Sequence, residues 1–450
     1  MLKRTHRLLQ WLVLGTLVGV AAGIASAAFL GLLELVTDYR NAHETIIFAL
    51  PFAGIVMGLV LQKWGGPVRG GNNLVIDTVH DDSDKIPISV VPAILGGTVL
   101  THLFGGSAGR EGAAVQMGAA LADEISHRLC VRRATRTQLL AAGIAGGFGS
   151  VFGTPVAGAI FGLEVVHLGA LKYTSLVPAL VAAVVGDLTA RALGARHSAF
   201  PQVPALPLDP VLLLKWIFVG VLVALVAVLF VEATHRLRAQ LELRVPALWL
   251  RMFFGGLAVV GLWQLLGTSD YLGLGVPFIN RCFVEPVPSY SFALKLLFTA
   301  VTLGCGFLGG EVTPLFFIGA ALGNAIAGPL GLPLALAVGV CMAAVFAAAS
   351  NTPLALSIMA VELLGANVLP HVVVVCVVAY LMSGHRSIYP SQRLVSEKWG
   401  ARLLSRPVSL RDFGKEDCPV EFVDDGRVNE RVNGSSHRDE EQSDATQGSG

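Results

Sequence analysis

From Leu8 to Leu33 the chain runs for 26 residues without an aspartate, glutamate, lysine or arginine. A helix of that length reaches about 39 Å, more than the roughly 30 Å of a bilayer's hydrocarbon core. A cleaved secretory leader needs only about 7–15 apolar residues, so this segment predicts a first spanning helix. Lys3, Arg4 and Arg7 would then stay on the cytoplasmic side. Gly15, Gly19 and Gly23 recur every fourth residue and predict a smooth stripe for close helix contact. Composition agrees: 14% of residues are charged, where soluble domains carry about 25%.

Further apolar runs cover about 46–64, 87–105, 172–192, 211–232, 248–266, 290–308, 331–348 and 367–383, with shorter ones at 111–126, 137–148, 153–168, 313–327 and 353–365. Crossing a bilayer takes about 20 residues, so several of these runs are too short to cross. Several open on a helix breaker: Gly153-Thr154-Pro155, Thr313-Pro314, Thr352-Pro353. Irregular backbone survives at membrane depth only when buried in protein or lining a water-filled cavity. Broken helices in matching halves are a transporter signature.

The halves exist. GTPVAGAIFGLEVV (153–166) and NTPLALSIMAVELL (351–364) share T-P-x(8)-E at an offset of 198, from 353 − 155 and 362 − 164. GGSAGREGAAVQMGAAL (105–121) and GGEVTPLFFIGAALG (309–323) align at 319 − 118 = 201. The sequence therefore predicts an all-α polytopic membrane protein of two repeats, about 5–190 and 211–395, in one domain over 1–396. From 397 to 450 the chain turns polar and ends EEQSDATQGSG, which predicts a cytoplasmic, largely disordered tail.

Each paired motif frees the backbone with glycines and then starts a helix inside the protein. Helix N-termini offer unpaired N–H groups and about half a positive charge, and two of them face to face make a site for a small anion. Into that site the sequence puts Glu111, preceded by Arg110. Its carboxylate can occupy the site as a tethered competitor and leave when protonated, acting as gate and proton carrier together. Residues adjacent on a helix do not face each other, so Arg110 and Glu111 are expected to point apart. Glu311 is a second carboxylate, two residues before Thr313, whose hydroxyl can donate to an anion; it serves the proton pathway or caps the helix that follows. RGGNNLVID (69–77) predicts a loop whose Asn72 and Asn73 either donate to an anion or serve as turn chemistry. Tyr389 follows the last apolar run, to reach inward as a donor or to sit in an interfacial belt. Glu164 and Glu362, repeated at short-helix ends, are expected to serve a structural role or to face an aqueous edge.

These motifs resemble the CLC family of anion channels and proton-coupled exchangers, in family order from about residue 8 to 395. The resemblance implies the CLC-type fold of two inverted repeats with tilted, short and re-entrant helices. It also implies a homodimer with one pore per subunit, and Glu111 as the external gating glutamate. The departures carry more. RGGNNL stands where chloride-type members carry GSGIP, and Ala113 replaces the proline of GREGP. Val312 replaces the phenylalanine of the second-half motif, and Val165 the internal glutamate of chloride/proton exchangers. Together these changes are similar to the fluoride-exporting branch, which exchanges fluoride for protons in the bacterial inner membrane. The resemblance then places Glu111 and Glu311 in gating and proton transfer. It places Gly109, Arg110, Gly112, Asn72, Asn73, Val312, Thr313 and Tyr389 at the anion. Fluoride is small and strongly hydrated, so dense hydrogen-bond donors must replace its water.

Partners so implied are fluoride and a proton, with chloride possible, and the lipid bilayer. A net charge of +1 argues against nucleic acid. The six cysteines stand singly, without the spacing of a zinc site or disulfide framework, and no cofactor is implied. The alternative within the fold is a chloride/proton exchanger or a passive anion channel. An intramembrane protease built on Glu111 and Glu311 would be an enzyme, but an HExxH motif is absent and the two carboxylates sit in glycine-rich helix starts, so no enzyme is expected.

Overall fold

The computed structural model describes residues 2–80, 85–399, 403–413 and 422–423. The first repeat supplies α1 (Leu2–Ala42), α2 (Leu50–Trp64), α3 (Asn72–His80), α4 (Val90–Leu103), α5 (Glu111–Arg128), α6 (Arg133–Phe152), α7 (Pro155–Glu164) and α8 (Leu176–Ala192). The second supplies α9 (Pro210–Arg244), α10 (Leu248–Leu266), α11 (Val276–Val284), α12 (Ser291–Gly304), α13 (Val312–Leu330), α14 (Leu334–Ser350), α15 (Pro353–Leu364) and α16 (Leu369–Met382).

The predicted glycine stripe is a seam. Gly15, Gly19 and Gly23 of α1 lie against Val181, Ala182 and Gly186 of α8, ascending in step, so the two helices run parallel. A Cβ on Gly19 would come within 2.8 Å of the Ala182 carbonyl oxygen. Ser26 Oγ meets Ser150 Oγ at 2.7 Å and joins α1 to α6. Small residues let backbones approach where lipid gives no hydrophobic drive to helix pairing.

Each packing within the first eight helices recurs among the second eight. α1 on α8 becomes α9 on α16, α5 on α6 becomes α13 on α14, and α4 on α5 becomes α12 on α13. Between the repeats α2 meets α10, α5 meets α13 and α7 meets α15, each helix touching its own counterpart. α2 and α10 are antiparallel, since Gly54 packs on Met252 and Gly58 on Trp249. A two-fold axis that exchanges antiparallel helices lies perpendicular to them, so the repeats are inverted. Matching helix stops follow: α6 ends on Gly153 and α14 on Asn351, both left-handed, at φ +74° and +58°. Asparagine is among the few other residues that tolerate this region.

Among the described residues, six helices are long and apolar enough to cross a membrane: those within Thr5–Ala42, Glu44–Trp64, Tyr173–Ala192, Pro210–Arg244, Leu248–Leu266 and Val312–Leu330. The protein is a multi-pass membrane protein. Two short helices depart from the sequence reading. RGGNNLVID is not a loop throughout, because Gly71, at φ +58°, turns the chain into α3, which buries Val75, Ile76 and Val79 on one face. α11 escaped notice because its nine residues are too short to show as an apolar run.

The tail is corrected in part. β1 (His167–Leu168), β2 (Arg393–Ser396), β3 (Leu403–Ser409) and β4 (Phe422–Val423) form one sheet in that order, with β1 and β2 parallel and the rest antiparallel. Leu168, Leu394, Leu404 and Val408 bury a small apolar cluster there, enough to hold a strand in a segment whose average composition is polar. Residues 414–421 and 424–450 of the expected disordered tail lie outside the described residues.

Candidate functional site

At the two-fold axis the repeats meet backbone to backbone. Gly109 N donates to Gly310 O at 2.6 Å, and Gly310 N donates to Gly109 O at 2.8 Å. These glycines are repeat counterparts, 310 − 109 = 201. The approach requires glycine at both, since a Cβ on Gly310 would stand 2.7 Å from Gly112 N. Just beyond the bridge α5 and α13 begin. Their preceding residues, Arg110 and Glu311, make no side-chain cap bond, so the helix N–H groups are left to other partners.

Glu111 answers that demand across the axis. Its Oε2 accepts from Thr313 N at 3.2 Å and from Arg110 N at 3.1 Å. Its Oε1 accepts from the Thr313 hydroxyl. The first repeat's carboxylate thus fills the helix start of the second, where an anion is favoured. The expected divergence of Arg110 and Glu111 is corrected, because Arg110 Nε lies 3.5 Å from Glu111 Oε1. The rule that neighbours diverge holds inside a helix, whereas Arg110 precedes α5 and Glu111 folds back over the helix end. Arg110 Nη2 also donates to Ser198 Oγ at 3.1 Å, in the linker between the repeats.

The second carboxylate faces elsewhere. Glu311 lines a cavity of about 120 Å³ together with Asn72, Asn73, Thr98, Gln116 and Tyr389, and its Oε2 is buried without a hydrogen-bond partner. Glu111 lines instead a small cavity of about 10 Å³, with Arg110, Thr313, Phe152 and Phe316. The asparagines separate as well. Asn73 Oδ1 accepts from Ser391 N at 3.1 Å, tying α3 to the chain beyond α16. Asn72 is buried, with its Oδ1 unpaired. Gly112 leaves room for it: a Cβ there would lie 2.9 Å from Asn72 Nδ2 and 3.7 Å from Glu311 Oε2. Val312 is buried in the first turn of α13, and Tyr389 is buried with its hydroxyl unpartnered among the described residues.

Glu164 and Glu362 do not face an aqueous edge. Glu164 accepts from Leu354 N at 3.1 Å and Ala355 N at 2.8 Å, at the start of α15. Glu362 accepts from Val156 N at 3.1 Å and Ala157 N at 2.8 Å, at the start of α7. Each repeat's glutamate caps the other's helix. The far end of α5 is fixed by fully buried Asp123, which accepts from Ile86 N at 2.7 Å and Arg136 Nε at 2.6 Å. Thr98 and Ser198 were missed in the sequence, since neither lies in a glycine motif or at a helix break; Gln116 lies in the motif of 105–121 but was given no role there. Among the described residues no group of three or more His, Cys, Asp or Glu side chains gathers to hold a metal ion.

Inverted repeats whose broken helices start at a common axis, with a carboxylate laid over one start, define a multi-pass ion-transport protein. Comparison with known proteins gives the family. The family model described as voltage gated chloride channel matches residues 53–384. A chloride/fluoride channel protein of Pseudomonas syringae pv. tomato is 45% identical over 425 residues, covering 93% of this chain and 94% of that protein. A crystal structure of a CLC-type fluoride/proton antiporter superposes with a TM-score of 0.84 at 36% identity, covering 86% of this chain and 98% of that one. A slow cyanobacterial Cl−/H+ antiporter shares the fold, with a TM-score of 0.73 at 19% identity over 83% of this chain and 94% of its own. The chain belongs to the voltage-gated chloride channel (CLC) family, as a fluoride or chloride channel or antiporter most similar to the fluoride/proton antiporter branch.

Proposed function

We propose that the protein exports fluoride in exchange for protons across a bacterial inner membrane, as a homodimer with one pathway per subunit and its N-terminus in the cytoplasm. The observation that carries the reading is the place of Glu111. A carboxylate seated on Thr313 N, Thr313 Oγ1 and Arg110 N occupies a site whose donors suit a free anion equally well. Protonation removes its charge and weakens those bonds, so the side chain leaves with a proton and an anion takes its place. Fluoride is favoured by the names of the 45% and 36% identical relatives and by the asparagine and threonine that stand in the two motifs.

In this mechanism Glu111 alternates between anion mimic and proton carrier. Glu311, facing the larger cavity, carries the proton onward; when protonated it donates to fluoride, a strong acceptor, instead of repelling it. Gly109, Arg110, Gly112 and Val312 bring the helix starts to the ion. Thr313, Asn72 and Tyr389 supply side-chain donors, and Asn73 holds α3 in place. The P. syringae relative is named as a channel, which favours passive fluoride conduction as a second reading; proton movement separates the two.

The test is ion flux from liposomes. Fluoride efflux far above chloride efflux, with proton uptake that ceases in Glu111→Gln, is the expected result. Comparable chloride efflux, or fluoride efflux without protons in the wild type, refutes the antiporter.

A further inference from the structure

The cavity on the Glu311 side is lined with polar atoms that no group among the described residues satisfies. Asn72 Oδ1, Thr98 Oγ1 and Glu311 Oε2 are buried without a hydrogen-bond partner. The Gln116 side chain belongs to the same lining. Buried polar groups in native proteins are bonded almost without exception, so the cavity's occupant must bond to these.

Thr98 is informative by contrast with its neighbours. A threonine within a helix commonly gives its hydroxyl to the carbonyl four residues back. Thr101 does so, to Gly97 O at 3.0 Å, and Thr78 does so, to Leu74 O at 2.7 Å. Thr98 lies on the same helix as Thr101, is fully buried, and makes no such bond. Its O–H is therefore left to donate into the cavity. Gln116 follows Gly112 by four residues, so both lie on one face of α5. Its amide projects from the wall where Asn72 and Glu311 come together.

We propose that Thr98 and Gln116 are specificity-determining ligands, an O–H and an N–H donor that take the place of the anion's water as it passes between Glu311 and the open mouth of the cavity at Arg69 and Arg238. The proposal rests on the reading that an anion crosses this cavity. A small, strongly hydrated ion gives up water only where several short donors replace it, and neutral donors do so without trapping it as a lysine would. A larger halide, which is more weakly hydrated, loses less when one donor is removed. Selectivity for the smaller ion therefore depends on these two walls.

The experiment compares wild type, Thr98→Val, Thr98→Ser and Gln116→Met in liposomes. It reads the fluoride concentration for half-maximal efflux, the fluoride-to-chloride ratio and proton uptake, with melting in detergent alongside. Thr98→Val keeps the shape and removes the donor. It is expected to raise the half-saturating fluoride concentration by roughly tenfold, the effect of one hydrogen bond lost to a charged acceptor. It is also expected to lower the fluoride-to-chloride ratio and leave the protons moved per fluoride unchanged. Thr98→Ser is expected to restore wild-type values, and Gln116→Met to act in the same direction as Thr98→Val. Unchanged fluoride dependence and selectivity in Thr98→Val overturns the proposal, as does an equal loss in Thr98→Ser. If the wild type carries chloride without protons, the antiporter reading fails by itself. The half-saturating chloride concentration in the same variants then supports or overturns the ligand assignment.

Discussion

Glutamine in place of Glu164 tests the exchanged helix caps. Both oxygens of this buried carboxylate accept from backbone N–H groups at the start of α15, at 3.1 and 2.8 Å. Glutamine keeps one acceptor and turns an NH2 group toward the other N–H, leaving a buried donor unpaired at about 1–3 kcal/mol. Losing negative charge at a helix N-terminus adds about 0.3–1 kcal/mol. Glu164→Gln should therefore cost about 1.3–4 kcal/mol. Glu362 makes the counterpart bonds at the same distances, but Val156, one of its two donors, is 45% exposed. A less buried donor costs less to leave unpaired, so Glu362→Gln should fall at the lower end of the range. Melting of the purified variants in one detergent should rank wild type above Glu362→Gln and Glu362→Gln above Glu164→Gln, the extremes separated by a few degrees. A Glu164→Gln protein that melts with the wild type, or above Glu362→Gln, would refute the reasoning.

Gly310→Ala should destabilise by about 1–3 kcal/mol through overpacking, because its Cβ would meet backbone, Gly112 N at 2.7 Å. Gly112→Ala should cost less than Gly310→Ala, since its nearest obstacle is the side-chain amide of Asn72 at 2.9 Å and the nearest backbone atom, Gly310 Cα, stands at 3.2 Å; the two melting curves decide this. Burial, with smaller contributions from His80, Lys172 and Arg393, lowers the His167 imidazole in β1 to about 4. The unfolded chain then binds a proton that the folded protein refuses. Stability is full above pH about 6.5 and falls as the pH drops toward 4, by at most about 1.4 kcal/mol per unit. Melting measured across that range should lose this slope in His167→Gln.

The repeat was legible because it is written in backbone-breaking residues. Thr-Pro and Gly-Gly pairs recur at offsets of 198 and 201 whatever fills the helices between them, and the site lies where those breaks meet. The long runs were legible from hydropathy, 248–266 matching α10 residue for residue. Short amphipathic helices such as α3 and α11 carry no such signal, and a polar average hid β3. The caps at Glu164 and Glu362 could have been inferred: a glutamate at the end of one short helix needs donors, and the matching helix start supplies them. Thr98 and Ser198 could not. Each is an ordinary polar residue whose importance comes from what another segment leaves unpaired, and only the folded arrangement records that.

The bridge between Gly109 and Gly310 has a consequence for descent. Each glycine gives its counterpart the same bond that it receives, and Glu164 and Glu362 trade caps in the same way. In a chain half this length, two copies could make every one of these bonds between identical residues, the self-complementary contact of a symmetric dimer. Joining two such copies end to end leaves the contacts intact and frees each half to change alone. The halves differ where ions are expected to pass, with Glu111 opposite Val312 and Arg110 opposite Glu311. A symmetric ancestor would have carried the same acid on both sides of its axis; the fused chain is free to turn one acid toward each cavity.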